Sequence, residues 1–95
     1  MTHRLMPDNQ LVQLMAQGDH EALAELRDRH GLSVYAQLYV MLGNADAAER
    51  VVAETWDQAW LSAGGFNPRA GSVLVWLSSL ARSLAASRGA APARR

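Results

Sequence analysis

Every basic residue of this chain is an arginine, and Arg69, Arg82, Arg88, Arg94 and Arg95 all lie beyond the last acid, Asp57. Up to Asp57 the 9 acids face only Arg4, Arg27, Arg29 and Arg50, so a formal net charge of +0 conceals an acidic half followed by a basic one. An acid-free run of arginines either rests on the phosphates of an anionic polymer or stands as solvated charge, and composition leaves both open. The absence of lysine excludes a Walker-type phosphate loop, a Schiff-base enzyme and a lysine general base. The absence of cysteine excludes disulfides, thiolate catalysis and cysteine-ligated zinc, and makes a cytoplasmic location the default expectation. His20 and His30 have no partner at metal-ligand spacing, so no metal or cofactor is expected. Asp19, Glu21, Glu25 and Asp28 are close enough for paired carboxylates, but no nucleophile accompanies them. They read as a helix N-terminus and its solvated face, and the chain reads as a binding domain rather than an enzyme.

These side chains need a scaffold, and the patterning predicts an all-α one, a compact bundle of about four helices. The clearest helix is expected from Asp46 to near Ala63, and in its stretch Ala48 to Trp60 the residues Ala48, Val51, Val52, Thr55, Trp56, Ala59 and Trp60 make one apolar face. Its opposite face, Glu49, Arg50, Ala53, Glu54, Asp57 and Gln58, is polar, mostly acidic and suited to docking. Asp46 with Glu49 matches a capping box at its start, with Asn44 as the alternative cap. Before it, Asp8 is expected to cap a short helix marked by Leu11, Leu14 and Met15, stopped by Gln17-Gly18. Asp19 caps a longer one carrying Ala22, Leu23, Leu26, His30, Val34, Leu38, Met41 and Leu42, ended by Gly43-Asn44. Gly31 lies inside that pattern. One interior glycine costs about 1 kcal/mol against alanine, less than the stripe of buried side chains supplies, so the helix is expected to run through it.

The stretch Gly64 to Gly71 holds three glycines and a proline, reads as a loop, and leads to Ser72 as cap of a last helix. Val73, Leu74, Leu77, Leu80, Ala81 and Leu84 form its stripe. Residues 1–88 are thus expected to be one domain, with a core shared by Leu23, Leu26, Leu38, Leu42, Val52, Trp56, Leu77, Leu80 and Leu84. Residues 89–95 read as a tail or linker of alanine, proline and arginine. No apolar run approaches the length of a membrane span, and the polar start does not read as a signal peptide.

The ordered pieces Asn9-Gln10-Leu11-Val12, Gly18-Asp19 with Ala22, Ala48-Glu49, Glu54-Thr55-Trp56, Ala59-Trp60, Phe66-Asn67-Pro68-Arg69, Gly71-Ser72, Trp76-Leu77 and Ala81-Arg82 resemble region 2 of a bacterial family. That family is the extracytoplasmic-function (ECF) group of RNA polymerase sigma factors, and the resemblance runs from about Asp8 to Arg88. It implies a docking helix that meets the β′ clamp helices of core polymerase through Glu49, Arg50, Ala53, Glu54 and Asp57. It also implies that Phe66, Asn67, Arg69, Trp76, Arg82 and Arg88 engage the non-template strand of the minus-ten promoter element. There the loop would hold a flipped base while arginines position the phosphates. An anti-sigma-type protein is a further implied partner; a membrane is not.

Departures from the family pattern fall on both surfaces. The docking helix usually reads AED-x-x-QE, whereas this chain has Ala48-Glu49-Arg50 and Ala53-Glu54. Ser83, Ala86 and Gly89 stand where the last helix favours asparagine, aspartate and arginine. The 95 residues hold no counterpart of the second DNA-binding domain of a complete sigma factor. The resemblance therefore leaves two expectations: a region 2 module for core binding, minus-ten recognition and strand opening, or a degenerate sigma-like domain that acts as a regulatory partner.

Overall fold

Three of the four α-helices among the described residues start at a side-chain cap, and the longest ends at a left-handed glycine. The computed structural model describes residues 2–88, with α1 at Asp8–Ala16, α2 at His20–Leu42, α3 at Ala45–Ser62 and α4 at Val73–Arg88. No strand occurs among the described residues, and the tail read at 89–95 lies outside them. Asp19 caps α2 by accepting the amide protons of Glu21 and Ala22 at 3.0 and 3.2 Å. The helix then runs unbroken through Gly31 and stops at Gly43, whose φ of 66° only glycine adopts without strain and whose amide donates to the Tyr39 carbonyl at 2.8 Å. Its 23 residues give it a length of about 34 Å, enough to pack against all three other helices.

Of the two caps the sequence offered for α3, Asn44 is the one formed, its side chain accepting the Ala47 amide at 2.8 Å, whereas the cap of α1 differs from the sequence reading. Pro7 occupies the cap position of α1, and Asp8 makes no cap bond because its carboxylate meets two stronger donors across the fold. It accepts from Arg29 Nη1 at 3.0 Å and pairs with His30 Nε2 at 2.7 Å. A charged donor outcompetes an exposed amide for a carboxylate. Arg29 also reaches Glu25 at 2.9 Å and the carbonyls of His3 and Arg4 at 3.0 and 3.1 Å, so one guanidinium ties α1, α2 and the N-terminal 3-10 turn, Thr2–Leu5, together. The hydrogen bonds that Arg29 donates to Glu25 and, second, to Asp8 raise its pKa further.

The core joins Leu11, Val12 and Met15 of α1 to Leu26, Val34 and Leu38 of α2, Val51 and Trp56 of α3, and Val73 and Leu77 of α4. Leu23, Leu42, Val52, Leu80 and Leu84 pack against it half-buried. Met41, placed on the stripe of α2 by its spacing, is exposed near the helix end instead. Two polar groups enter the interior with partners. Thr55 Oγ1 donates to the Val51 carbonyl one turn back at 2.7 Å, and Ser78 Oγ accepts from Gln37 Nε2 at 2.9 Å, joining α4 to α2.

His3 Nε2 lies 2.9 Å from Asp19 Oδ2, and this contact, with the cap amides, lowers the Asp19 pKa from its ordinary value. A carboxylate whose pKa falls on folding stabilises the fold at pH values above its unfolded pKa, and that contribution is lost as pH drops through the folded one. The melting temperature of the chain should therefore fall in the acid range below about pH 4. Asp19→Asn keeps the cap but not the charge. It should fall less steeply over the same range, as thermal melts at stepped pH would show; an equal acid limb would rule the contribution out.

Candidate functional site

Downstream of α3 the chain turns twice in 3-10 conformation, at Ala63–Gly65 and Pro68–Ala70, within the stretch read as a plain loop. Pro68 favours the second turn by its fixed φ, and Asn67 closes it by accepting the Arg69 amide at 3.0 Å. Gly71, at φ 145°, then redirects the chain into α4. Ser72 caps α4 as expected, its hydroxyl accepting the Val75 amide at 3.1 Å.

This turn holds Phe66 against α4, the Phe66 and Trp76 ring centroids 5.1 Å apart and the planes tilted by 54°, a favourable aromatic arrangement. The two half-buried rings wall a cavity of about 280 Å³ with Asn67, Gly71, Val75 and Ser79. Trp76 is half-buried, packing against the core on one side and lining the pocket on the other. Val75 and Ser79 were not singled out from the sequence, and Ser72 was singled out only as the cap of α4 and within the Gly71-Ser72 motif. Val75 carried a signal, an apolar residue off the stripe of Val73 and Leu77, and it is 57 % exposed.

The cations sit around this pocket, not in it. Arg69 is exposed on the second turn, and Arg82 is exposed on α4. Arg82 lies about 9 Å along the axis from Trp76 and about 120° round it, which suits contact with a polymer lying across the helix better than with a compact ligand. Arg88 ends α4, and its side chain lies outside the described residues.

Glu49, Arg50, Ala53 and Asp57 are exposed along the outer face of α3, as their spacing predicted. Glu54 departs from that reading: it is half-buried. The exposed charges of the face are thus two acids and Arg50. At the C-terminal end of α3, Trp60 is half-buried and stacks on the His20 ring, centroids 4.4 Å apart and planes 12° from parallel. This stack connects α3 to the start of α2. Asp57 and the exposed Leu61 border a shallow hollow beside it.

Comparison with known proteins gives the same family as the residue pattern. The ECF RNA polymerase sigma factors SigK of Mycobacterium sp. strains KMS and JLS are each 35 % identical to this chain over 78 residues. SigK of Mycolicibacterium vanbaalenii is 33 % identical over 78 residues. Each alignment covers 82 % of this chain and 40 % of the relative, so the chain spans well under half the length of the relatives it matches. No protein-family model and no solved structure matches significantly. The helical chain is similar in sequence to ECF sigma factors over most of its length, as its motifs indicated. No helix among the described residues is long and apolar enough to cross a membrane.

Proposed function

We propose that this domain acts as a sigma-factor region 2 module, docking on core RNA polymerase through α3 and holding the non-template strand of the minus-ten element through the turn and α4. The observation that carries the reading is the Phe66–Trp76 pocket with Asn67 at its wall, no arginine in its lining, and Arg69 and Arg82 exposed on the turn and helix that form it. A flipped base needs an apolar, aromatic seat with a few polar groups, while its flanking phosphates need cations outside. Asn67 would read the base edge; Arg69, Arg82 and Arg88 would position the backbone. On α3, Glu49, Arg50, Ala53, Glu54 and Asp57 would meet the clamp helices of β′, with the half-buried Glu54 contributing from the edge of that surface. Work of this kind is binding and strand separation, not catalysis, and it belongs where RNA polymerase is, in the cytoplasm.

Arg50 gives the test. It stands where a basic clamp surface would favour an acid, and a lost charged hydrogen bond can cost roughly 1.5 to 3 kcal/mol. Restoring the family residues with Arg50→Asp and Ala53→Gln should tighten binding to purified bacterial core polymerase at least several-fold in a titration by fluorescence anisotropy. Unchanged or weaker binding would instead favour an α3 surface rebuilt for a regulatory partner such as an anti-sigma-type protein.

A further inference from the structure

We infer that α2 pairs through its outer ridge with a second copy of this chain, in a weak antiparallel, two-fold crossing centred on Ala36. Of the large apolar side chains exposed among the described residues, Leu32, Tyr39, Val40 and Met41 all fall within about three turns of α2. Leu5, Leu61 and Val75 stand singly in other elements. Leu32, Ala36 and Val40 are spaced by four residues and make one ridge, with Leu32 and Val40 80 and 82 % exposed. Val34 and Leu38, roughly opposite on the helix, are fully buried, so the ridge points away from the core. Tyr35 and Tyr39 flank it as a stacked pair, ring centroids 6.1 Å apart.

Charge decides what this ridge accepts. From Gly31 to Ala45 the chain carries no charged residue, so a charged partner would bury its own charges here without a counter-charge. A second copy brings none. Antiparallel crossing at Ala36 sets Leu32 against Val40 of the second copy and Val40 against its Leu32, which makes the ridge complementary to itself. The small Ala36 at the crossing lets the two ridges interlock over the span of about 12 Å from Leu32 to Val40. The nearest charge on the same line is Asp28, and the two Asp28 carboxylates would stand about 24 Å apart, well beyond the screening length of about 8 to 10 Å. A single helix crossing falls short of the about 800 Å² per partner that a stable complex buries, so the pairing is transient and a dilute chain is monomeric. None of the ridge residues lines the Phe66–Trp76 pocket.

Sedimentation velocity of the whole chain from about 10 µM to about 1 mM should show the average mass rising toward that of two copies, the range in which so small a contact associates. Leu32→Glu with Val40→Glu should stay monomeric throughout and keep the wild-type melting temperature when dilute, since both side chains are exposed. The position of the axis has its own test, because the chain holds no cysteine. Ala36→Cys puts a lone thiol where the copies approach within disulfide reach, and with oxidised glutathione it should form covalent dimer at least about ten-fold faster than Ala24→Cys on the same helix. A wild-type chain monomeric at about 1 mM, or association undiminished in the double glutamate variant, overturns the pairing. Equal cross-linking of the two cysteine variants overturns the crossing at Ala36. A monomeric wild type whose affinity for core polymerase falls in the double glutamate variant overturns the second copy and assigns the ridge to polymerase.

Discussion

Replacing Trp56 with alanine is expected to lower the unfolding free energy by about 3 to 5 kcal/mol, the largest stability loss at any single position considered. The indole is 4 % exposed and belongs to a core that takes residues from all four helices. Truncation therefore removes apolar area from water-free contact and leaves a cavity that close-packed neighbours fill only in part. A domain of 95 residues has a total stability on the order of 5 to 15 kcal/mol. At about 4 to 8 °C per kcal/mol, the loss corresponds to a melting temperature lower by at least roughly 12 °C. Leu32→Ala, at a residue 80 % exposed on α2, is the control and should change stability by no more than about 0.5 kcal/mol. Chemical denaturation of the two variants checks the pair; a Trp56 loss as small as that at Leu32 would mean that α3 does not anchor the bundle.

The second large effect is expected at Trp76. Base-on-aromatic stacking is worth about 1 to 3 kcal/mol by alanine substitution, roughly five- to 150-fold in affinity for single-stranded DNA. Trp76 is half-buried at the pocket rim, so part of its ring is available to a base while Phe66 braces the other part. The arginines contribute differently. Three phosphate contacts by Arg69, Arg82 and Arg88 would give a slope near −2 for log affinity against log salt, at about −0.7 per phosphate on single strands. Arg82→Ala should flatten that slope by about 0.7. Trp76→Ala should leave it unchanged while lowering affinity at every salt concentration, and Asn67→Ala should alter preference among bases rather than the slope. Titrations at stepped salt separate the three outcomes. A Trp76 variant that binds as the wild type does would remove the pocket from the account.

What the sequence made legible was whatever repeats along a helix or sits next to a helix end. The apolar stripe of α3 is buried or half-buried at every position from Ala48 to Trp60 that the spacing marked, and Asp19, Gly43 and Ser72 begin or end helices as their chemistry requires. Continuity through Gly31 followed from weighing one glycine against a long buried stripe. Contacts between residues far apart in the chain carry no such period. Asp8 meets Arg29 and His30 across more than twenty residues and His20 stacks on Trp60; neither pairing leaves a local signal. The half-burial of Glu54 was not legible either, since helical spacing gives the side of α3 on which a residue lies but not its burial. For the candidate site, Phe66, Asn67, Arg69, Trp76 and Arg82 came from the family resemblance. The walls supplied by Val75 and Ser79 came only with the fold.

Selection from a random pool of single-stranded DNA by the chain in complex with core RNA polymerase tests the central claim most directly, because it asks whether these surfaces read sequence on one exposed strand. Sequencing the retained oligonucleotides should give a short enriched motif that depends on the wild-type chain, is lost with Trp76→Ala and shifts in base preference with Asn67→Ala. Retention no greater than that of core polymerase alone, with no motif enriched even at low salt, would contradict promoter-strand recognition by this domain.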